Sequence, residues 1–393
     1  MTRINADGFV APGWDPVKAA FEKNFALGEE IGASAAVYHR GEKVVDIWGG
    51  SFDATSDRPY DDSTLQVIFS TTKGITALAV AMCVDRGLLD YDEKVATYWP
   101  EFAAHGKGEA TVAQLLSHQC GLIAPDVPVA LADTFDWKLM TTMLADTKPD
   151  WPIGSGHGYH AVTFGWLAGE LIRRTDGRTP GRFVAEEMAG PLGVDLWIGL
   201  PEEFEDRVSP VIGSLAGSDA TPPHVRAMME MFLGPDTRAG RALMLNGAFS
   251  IDDDAINTRA VHAAEIPAAN GITNAAALAK VYAATMSSVD GVRLLNATVC
   301  DAARATVTPA GEADLCLIMP TTFGMGFMTH GMFTPYSGPG SFGHSGAGGS
   351  NAFAQPERQL AVGYVMNKMA PNLAADARAQ RITSAAVTVA DSL

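Results

Sequence analysis

Apolar positions are patterned for strands at both ends of the chain and for helices between them. Ala33–His39 is a short apolar run, Arg40-Gly41-Glu42 follows as a turn, and Lys43–Trp48 alternates apolar with polar positions, which predicts a β-hairpin. Ser350–Gln355 and Gln359–Met366 predict a second hairpin around Pro356-Glu357-Arg358, and Leu360–Met366 is apolar enough for a central strand. An Ala-rich stretch from Asn372 to Leu393 predicts a terminal helix. Helical patterns dominate from Lys73 to about Ser288, broken by Pro- and Gly-rich loops. Clear cases are Thr111–Leu116, Phe135–Leu144, Thr163–Arg174 and Asn274–Ser287. Strand signals at both ends with helices between them predict an α+β fold rather than alternating βαβ units. One antiparallel sheet is then built from both termini, flanked by helices, with a mostly helical domain inserted. The expected division is 1–75 with 289–393 for the sheet domain and 76–288 for the insertion.

Composition narrows the class. Of 393 residues, 47% are hydrophobic and 19% charged, which is globular and not disordered. A net charge of −17 argues against nucleic acid and anionic membrane surfaces as partners, since both need a basic face. The four cysteines have no Cys-x-x-Cys spacing, and Cys83 and Cys316 sit in apolar runs, so no disulfide framework is expected. The stretch Met1–Asp7 has no apolar h-region, and no apolar run reaches transmembrane length. A reduced, cytoplasmic protein is the expectation.

Three segments carry candidate chemistry. Ser70-Thr71-Thr72-Lys73 is the one Ser-x-x-Lys in the chain and opens a long apolar run. Three apart on a helix, Ser70 and Lys73 share a face, so a hydroxyl would lie beside an amine able to take its proton. The competing reading is an N-cap serine followed by a solvated lysine. Against it, the helix through Val84 is apolar on nearly every side, and a lysine at the start of a buried helix needs a partner. An ordinary lysine is protonated near pH 7, so its pKa must fall or a second group must share the proton. Tyr159 follows the loop Ile153-Gly154-Ser155-Gly156-His157-Gly158 and precedes the helical pattern around Phe164–Arg174, where it can project into a cleft or simply pack. The Gly-rich segment Gly340–Ser350 offers unobstructed backbone N–H donors for an oxyanion, or is only a flexible approach to the hairpin.

Together these segments resemble the superfamily of class C serine β-lactamases, penicillin-binding proteins and family VIII carboxylesterases, over nearly the whole chain. Ser70-Thr71-Thr72-Lys73 matches the first motif, Tyr159-His160-Ala161 occupies the Tyr-x-Asn position, and His344-Ser345-Gly346 the Lys-Thr-Gly position. Leu115-Leu116-Ser117-His118-Gln119-Cys120-Gly121-Leu122 and the stretch Gly87–Val95 are similar to the family's connecting segments. Ile266–Gly271 and Gly343–Ser350 resemble family VIII in particular. The resemblance implies a β-lactamase-like fold with its site between the sheet and helical domains. It implies Ser70 as nucleophile, Lys73 and Tyr159 as the proton-handling pair, the Ser70 and Ala347 N–H groups as oxyanion hole, and His344, Ser345 and Gly346 as substrate-binding residues. No metal or cofactor is implied.

Two departures favour one reaction. The Tyr-x-Asn asparagine is Ala161, and the cationic lysine of Lys-Thr-Gly is His344, neutral half the time or more near pH 7 unless perturbed. A β-lactam carries a carboxylate and an amide that those two groups would recognise; a neutral ester needs neither. The expected activity is hydrolysis of small to medium carboxylic esters through an acyl-enzyme on Ser70. A β-lactamase, D-amino-acid peptidase or amidase is the alternative on the same fold, and a catalytically silent binding protein is a third reading. Gly338–Gly343 fits Gly-x-Gly-x-x-Gly without the strand and helix a dinucleotide site needs. His157 and His160 have no nearby acidic or cysteine partner and read as loop residues, not metal ligands. Acyl preference is expected to depend on the loops Pro125–Trp151 and Ile212–Ile256, with Phe135, Trp137 and Trp151 either lining a pocket or packing in the core. Met228–Leu233 reads as a lid or a packed helix. Nothing in the sequence sets an oligomeric state.

Overall fold

The computed structural model describes residues 4–215, 223–250, 254–309 and 311–393. Among them the chain forms strands β1 (Asp7–Val10), β2 (Gly32–His39), β3 (Glu42–Gly50), β4 (Leu65–Val67), β5 (Leu196–Trp197), β6 (Val208–Ser209), β7 (Ile272–Thr273), β8 (Met328–Thr329), β9 (Phe342–Ser345), β10 (Asn351–Gln355) and β11 (Leu360–Met366). Seven of these make one sheet in the order β1-β3-β2-β11-β10-β9-β8. Every pairing in it is antiparallel. The two expected hairpins are therefore β2–β3 and β10–β11, and they join where β2 meets β11, from Leu360 opposite His39 to Met366 opposite Ala33. Both ends of the chain build one sheet, as the hydrophobic pattern requires.

The central strands are buried along their whole length because helices cover both faces. Helices Asp15–Ala26 and Ala377–Ala390 pack together over one face and enclose a core with Phe21, Val37, Ile47 and Ile382. Helix Ala275–Met286 lies on the other face against β2, β10 and β11. The long helix Thr71–Asp85 runs beside it, between β9 and helix Phe164–Asp176, and is buried from Thr71 to Cys83. The expected apolar helix after Lys73 is thus the central element of the larger core. β3, one strand from the edge, keeps the alternation of buried and half-buried residues seen in its sequence.

The remaining strands escape the pattern. β1 is a four-residue, mostly exposed edge strand with no alternation to read. A second sheet, ordered β5-β7-β4-β6, is made of two- and three-residue strands far apart in sequence. The terminal helix is shorter than expected: Asp376 caps it by accepting the Arg378 N–H at 2.8 Å, so the stretch from Asn372 is a turn and not a helical start. All four cysteines are free and buried. Among the described residues no helix is long and apolar enough to cross a membrane.

Candidate active site

β4 leads directly into the candidate site. Phe69 takes a left-handed conformation, φ 45°, and turns the chain from β4 into the Thr71–Asp85 helix. A bulky residue held there is strained, a feature that gathers at functional sites. Ser70 occupies the N-cap position, yet its side chain caps nothing. Lys73 Nζ lies 2.9 Å from Ser70 Oγ and donates to the Ala268 carbonyl, also at 2.9 Å. Lys73 is fully buried, and among the described residues no carboxylate pairs with it. Burial therefore draws its pKa well below the ordinary lysine value.

The Ala268 carbonyl is placed by the nucleophile helix itself. Thr76 Oγ1 donates to the Pro267 carbonyl at 2.6 Å, and Thr72 Oγ1 accepts the Gly271 N–H at 2.9 Å. Asn270 ties the same turn together, accepting from the Ile266 N–H and donating to the Val261 and Ala264 carbonyls. The two threonines stand on either side of Lys73 in sequence and fasten Ile266–Gly271 across its amine.

Tyr159 is buried beside them. Lys73 Nζ sits 4.8 Å from its ring centroid, and its ring stacks on His344 and on Phe323. Burial raises the phenol pKa, a hydrogen bond with Ser70 opposes the rise, and the Asp314 charge adds to it. Two side chains fix the backbone at this tyrosine. Its N–H donates to Asp314 Oδ1 at 3.1 Å, and the next N–H, of His160, donates to His118 Nδ1 at 3.1 Å. Asp314 is buried and also accepts from the N–H groups of Cys316 and Leu317 and from Thr321 Oγ1.

The segment around His344 divides between two faces of the sheet. β9 alternates, so His344 faces Tyr159 while Ser345 faces away. Ser345 Oγ donates to Asn351 and borders a small cavity between the sheet and the Ala377–Ala390 helix. The structure thus brings His344, but not the Ser345 side chain, to Ser70 and Lys73. His344 is fully buried, its Nδ1 bonds the Ser345 carbonyl at 2.7 Å, and its Nε2 has no partner. A carbonyl accepts, so Nδ1 carries the proton. Burial pushes the pKa down, which favours the neutral ring and makes it no substitute for a cationic lysine. Gly346 is required where it stands, because a methyl there would overlap Ser350 Oγ and the Ile68 carbonyl. Its N–H donates to the Ser350 carbonyl at 2.7 Å, and Ser350 Oγ donates to Ile68 at 2.8 Å, which lashes this loop to the turn before Ser70.

A cleft of about 140 Å³ opens at Ser70. Ser70, Ala161 and Ala347 line it, together with apolar side chains including Val162, Leu243, Met244 and Phe249. The backbone N–H groups of Ser70 and Ala347 have no acceptor among the described residues. Two free donors beside a hydroxyl can stabilise charge on a carbonyl oxygen. Among the described residues lining the cleft, Asp254 is the one that is charged. The walls come from the expected 212–256 region, of which 216–222 and 251–253 lie outside the described residues. The 125–151 loop contributes none of them. Trp137 donates to Glu170 at 2.8 Å, Trp151 joins the core and Phe135 is exposed. Met228 and Met231 project into solvent from helix Pro223–Phe232 and do not line the cleft. His157 and His160 bond Thr321 and the backbone of Leu122 and Gly158. The sequence reading missed Ala268, Asp314 and His118 as neighbours of the site. The segments of the first and third stand out in the sequence, but nothing in local pattern shows what a carbonyl or a distant carboxylate will face.

Comparisons with known proteins bear on the family and the fold. The beta-lactamase family model matches residues 17–387. The esterase/beta-lactamase LipL of Mycobacterium tuberculosis is 35% identical over 372 residues, 92% of this chain and 83% of that protein. Among solved structures, a family VIII carboxylesterase is 37% identical with TM-score 0.86, covering 98% of this chain and 100% of that one. A penicillin-binding protein homolog from Caulobacter crescentus is 39% identical with TM-score 0.87 over the same shares. The chain belongs to the beta-lactamase family and is a serine hydrolase of the β-lactamase fold.

Proposed function

We propose that this protein is a carboxylesterase that cleaves uncharged esters of small to medium acyl chain through an acyl-enzyme on Ser70. The observation that carries this reading is the cleft at Ser70, mostly apolar and without a cationic side chain among the described residues that line it. A carboxylate-bearing β-lactam or peptide would find no positive partner there and would meet Asp254. The neutral His344 and Ala161 support the same choice, as does the likeness to a family VIII carboxylesterase.

Lys73 is the base in this mechanism, since burial favours its neutral form. Its lone pair takes the Ser70 hydroxyl proton while Oγ bonds to the ester carbonyl carbon. The carbonyl π electrons move to oxygen, where the Ser70 and Ala347 N–H groups hold the charge. The C–O bond to the alcohol then breaks. Tyr159, kept protonated by its raised pKa, gives its proton to the departing alkoxide and is reprotonated from Lys73. Water repeats the sequence on the acyl-enzyme and releases the carboxylic acid. No metal or cofactor enters. A two-lobed division, 1–75 with 289–393 against 76–288, belongs to the same proposal; helix Ala275–Met286 packs on the sheet, which favours a second boundary nearer Asn274.

Hydrolysis of p-nitrophenyl acetate, butyrate and hexanoate beside nitrocefin tests the reading. The esters should turn over faster, Ser70→Ala should abolish turnover, and mass spectrometry should find the acyl group on Ser70. Faster turnover of nitrocefin would favour the β-lactamase reading. No turnover of any substrate would favour the binding-protein reading.

A further inference from the structure

The loop that carries the Ala347 N–H is gripped from behind by a side chain that lies outside the cleft. Gly346 C=O accepts the Gly349 N–H at 3.2 Å. Because the peptide unit is planar and trans, fixing that carbonyl points the Ala347 N–H the opposite way. Two residues on, the Gly348 carbonyl accepts from Arg378 Nη2 at 2.5 Å and from the Ala370 N–H at 2.9 Å. Gly348 N–H donates to the Asn372 carbonyl at 3.0 Å. Gly349 sits at φ 132°, and a side chain there would press on Arg378 Nη2 and Asp376.

Arg378 reaches this loop from the first turn of the C-terminal helix and is 3% exposed. Its guanidinium is fully engaged. Nε and Nη2 bond the Asp376 carboxylate at 3.0 and 2.9 Å, and Nη1 reaches Glu30 Oε2 at 3.2 Å and the Lys368 carbonyl at 2.8 Å. A buried ion pair by itself contributes little net stability, because desolvation offsets the attraction. Here Nη2 is shared between the Asp376 carboxylate and a loop carbonyl, so the ion pair also aims the fork at the loop. That geometry suits a part that fixes position.

We propose that Arg378 is a positioning residue, holding the Gly346–Gly349 loop so that the Ala347 N–H stays presented to the cleft at Ser70. The inference rests on the reading of that N–H as an oxyanion donor. It predicts an effect on turnover and not on substrate binding, because the donor acts most strongly on the charged intermediate.

The test compares wild type with Arg378→Lys, which keeps the charge and loses the planar fork. Rates are taken per active site titrated with a fluorophosphonate, on p-nitrophenyl butyrate. The expected result is a fall in kcat of about 10- to 100-fold, the scale of a displaced catalytic group. KM should stay within about twofold. Inhibition by phenylboronic acid, whose adduct on Ser70 places an oxygen in the same donors, should weaken by a factor similar to the loss in kcat. Wild-type kcat and boronate affinity in Arg378→Lys, with Ser70→Ala inactive, would overturn this inference and leave the esterase reading standing. Full activity in Ser70→Ala would overturn both. If Arg378→Lys does not fold, Asp376→Asn turns one of the two carboxylate acceptors of the guanidinium into a donor, removing one of its two bonds while keeping shape. The same split of kcat from KM is expected there, and wild-type kcat in that variant would overturn the inference.

Discussion

Lys73 is met by the Ala268 carbonyl and not by a carboxylate. The amine donates to that oxygen at 2.9 Å while standing 2.9 Å from Ser70 Oγ. A carboxylate would hold the lysine protonated. A carbonyl orients the amine by a hydrogen bond and leaves burial to draw its pKa down, toward the neutral form that the proposed base requires.

The pH dependence of hydrolysis follows from that arrangement. The base is active when neutral, and its pKa lies well below the ordinary lysine value. Activity should therefore rise through this lowered pKa and level off well below pH 10.5. Lys73→Arg keeps the charge but cannot lose its proton. It should lower kcat/KM by about 10²- to 10⁴-fold across the whole profile. A pH–rate series on p-nitrophenyl butyrate checks both, and a wild-type profile in Lys73→Arg would exclude Lys73 as base.

Tyr159→Phe removes one hydroxyl and keeps the ring stacked between His344 and Phe323. The fold should be preserved and kcat should drop by about 10²- to 10⁴-fold, the usual worth of a general acid. Esters with a better leaving group should suffer less, since they need less protonation. An equal loss for p-nitrophenyl and ethyl esters would argue that Tyr159 only packs.

Gly346→Ala tests the contact between the His344 strand and the Ser70 turn. Its methyl would overlap Ser350 Oγ and the Ile68 carbonyl, and neither is the far end of a flexible chain. The loop must move away from Ser70 and carry the Ala347 N–H with it. Loss of activity with a lowered melting temperature is expected; wild-type kcat would show that the loop position does not matter.

Stability should decline in mild acid. His160 is fully buried, with Nδ1 donating to the Gly158 carbonyl and Nε2 accepting from Leu122, so the neutral ring is built into the fold. Burial lowers its pKa from 6.5 to about 4. Between those values the unfolded chain binds a proton that the folded chain refuses, so stability falls as pH drops through the window, by about 3 kcal/mol. His118 and His344 are lowered by the same cause and add to the slope. Urea melts from pH 7 to pH 4 should show the decline, and His160→Gln should flatten it; an unchanged slope in that variant would assign the effect elsewhere.

Much of the site was legible because its pieces are local. Ser70 and Lys73 are one helical turn apart, and the apolar run after them can only be a buried helix. The two hairpins show in short alternating and apolar runs, and joining them gives the sheet. The small sheet was not legible, because two-residue strands leave no period. Helix Ala275–Met286 reads as helix from its own residues, but nothing local says that it lies on the sheet.

The sequence by itself determined the two hairpins and the longer helices, the joining of the two termini in one sheet and the Ser70–Lys73 pair, all set by hydrophobic period and helical spacing. Tertiary structure alone decided their chemistry. Burial, not sequence, lowers the Lys73 pKa, raises that of Tyr159 and keeps His344 neutral. Contacts between residues far apart in the chain bring the Ala268 carbonyl to Lys73, Asp314 to the Tyr159 backbone and Arg378 to the loop of Ala347. A pKa depends on what surrounds a group, and those surroundings come from every part of the folded chain.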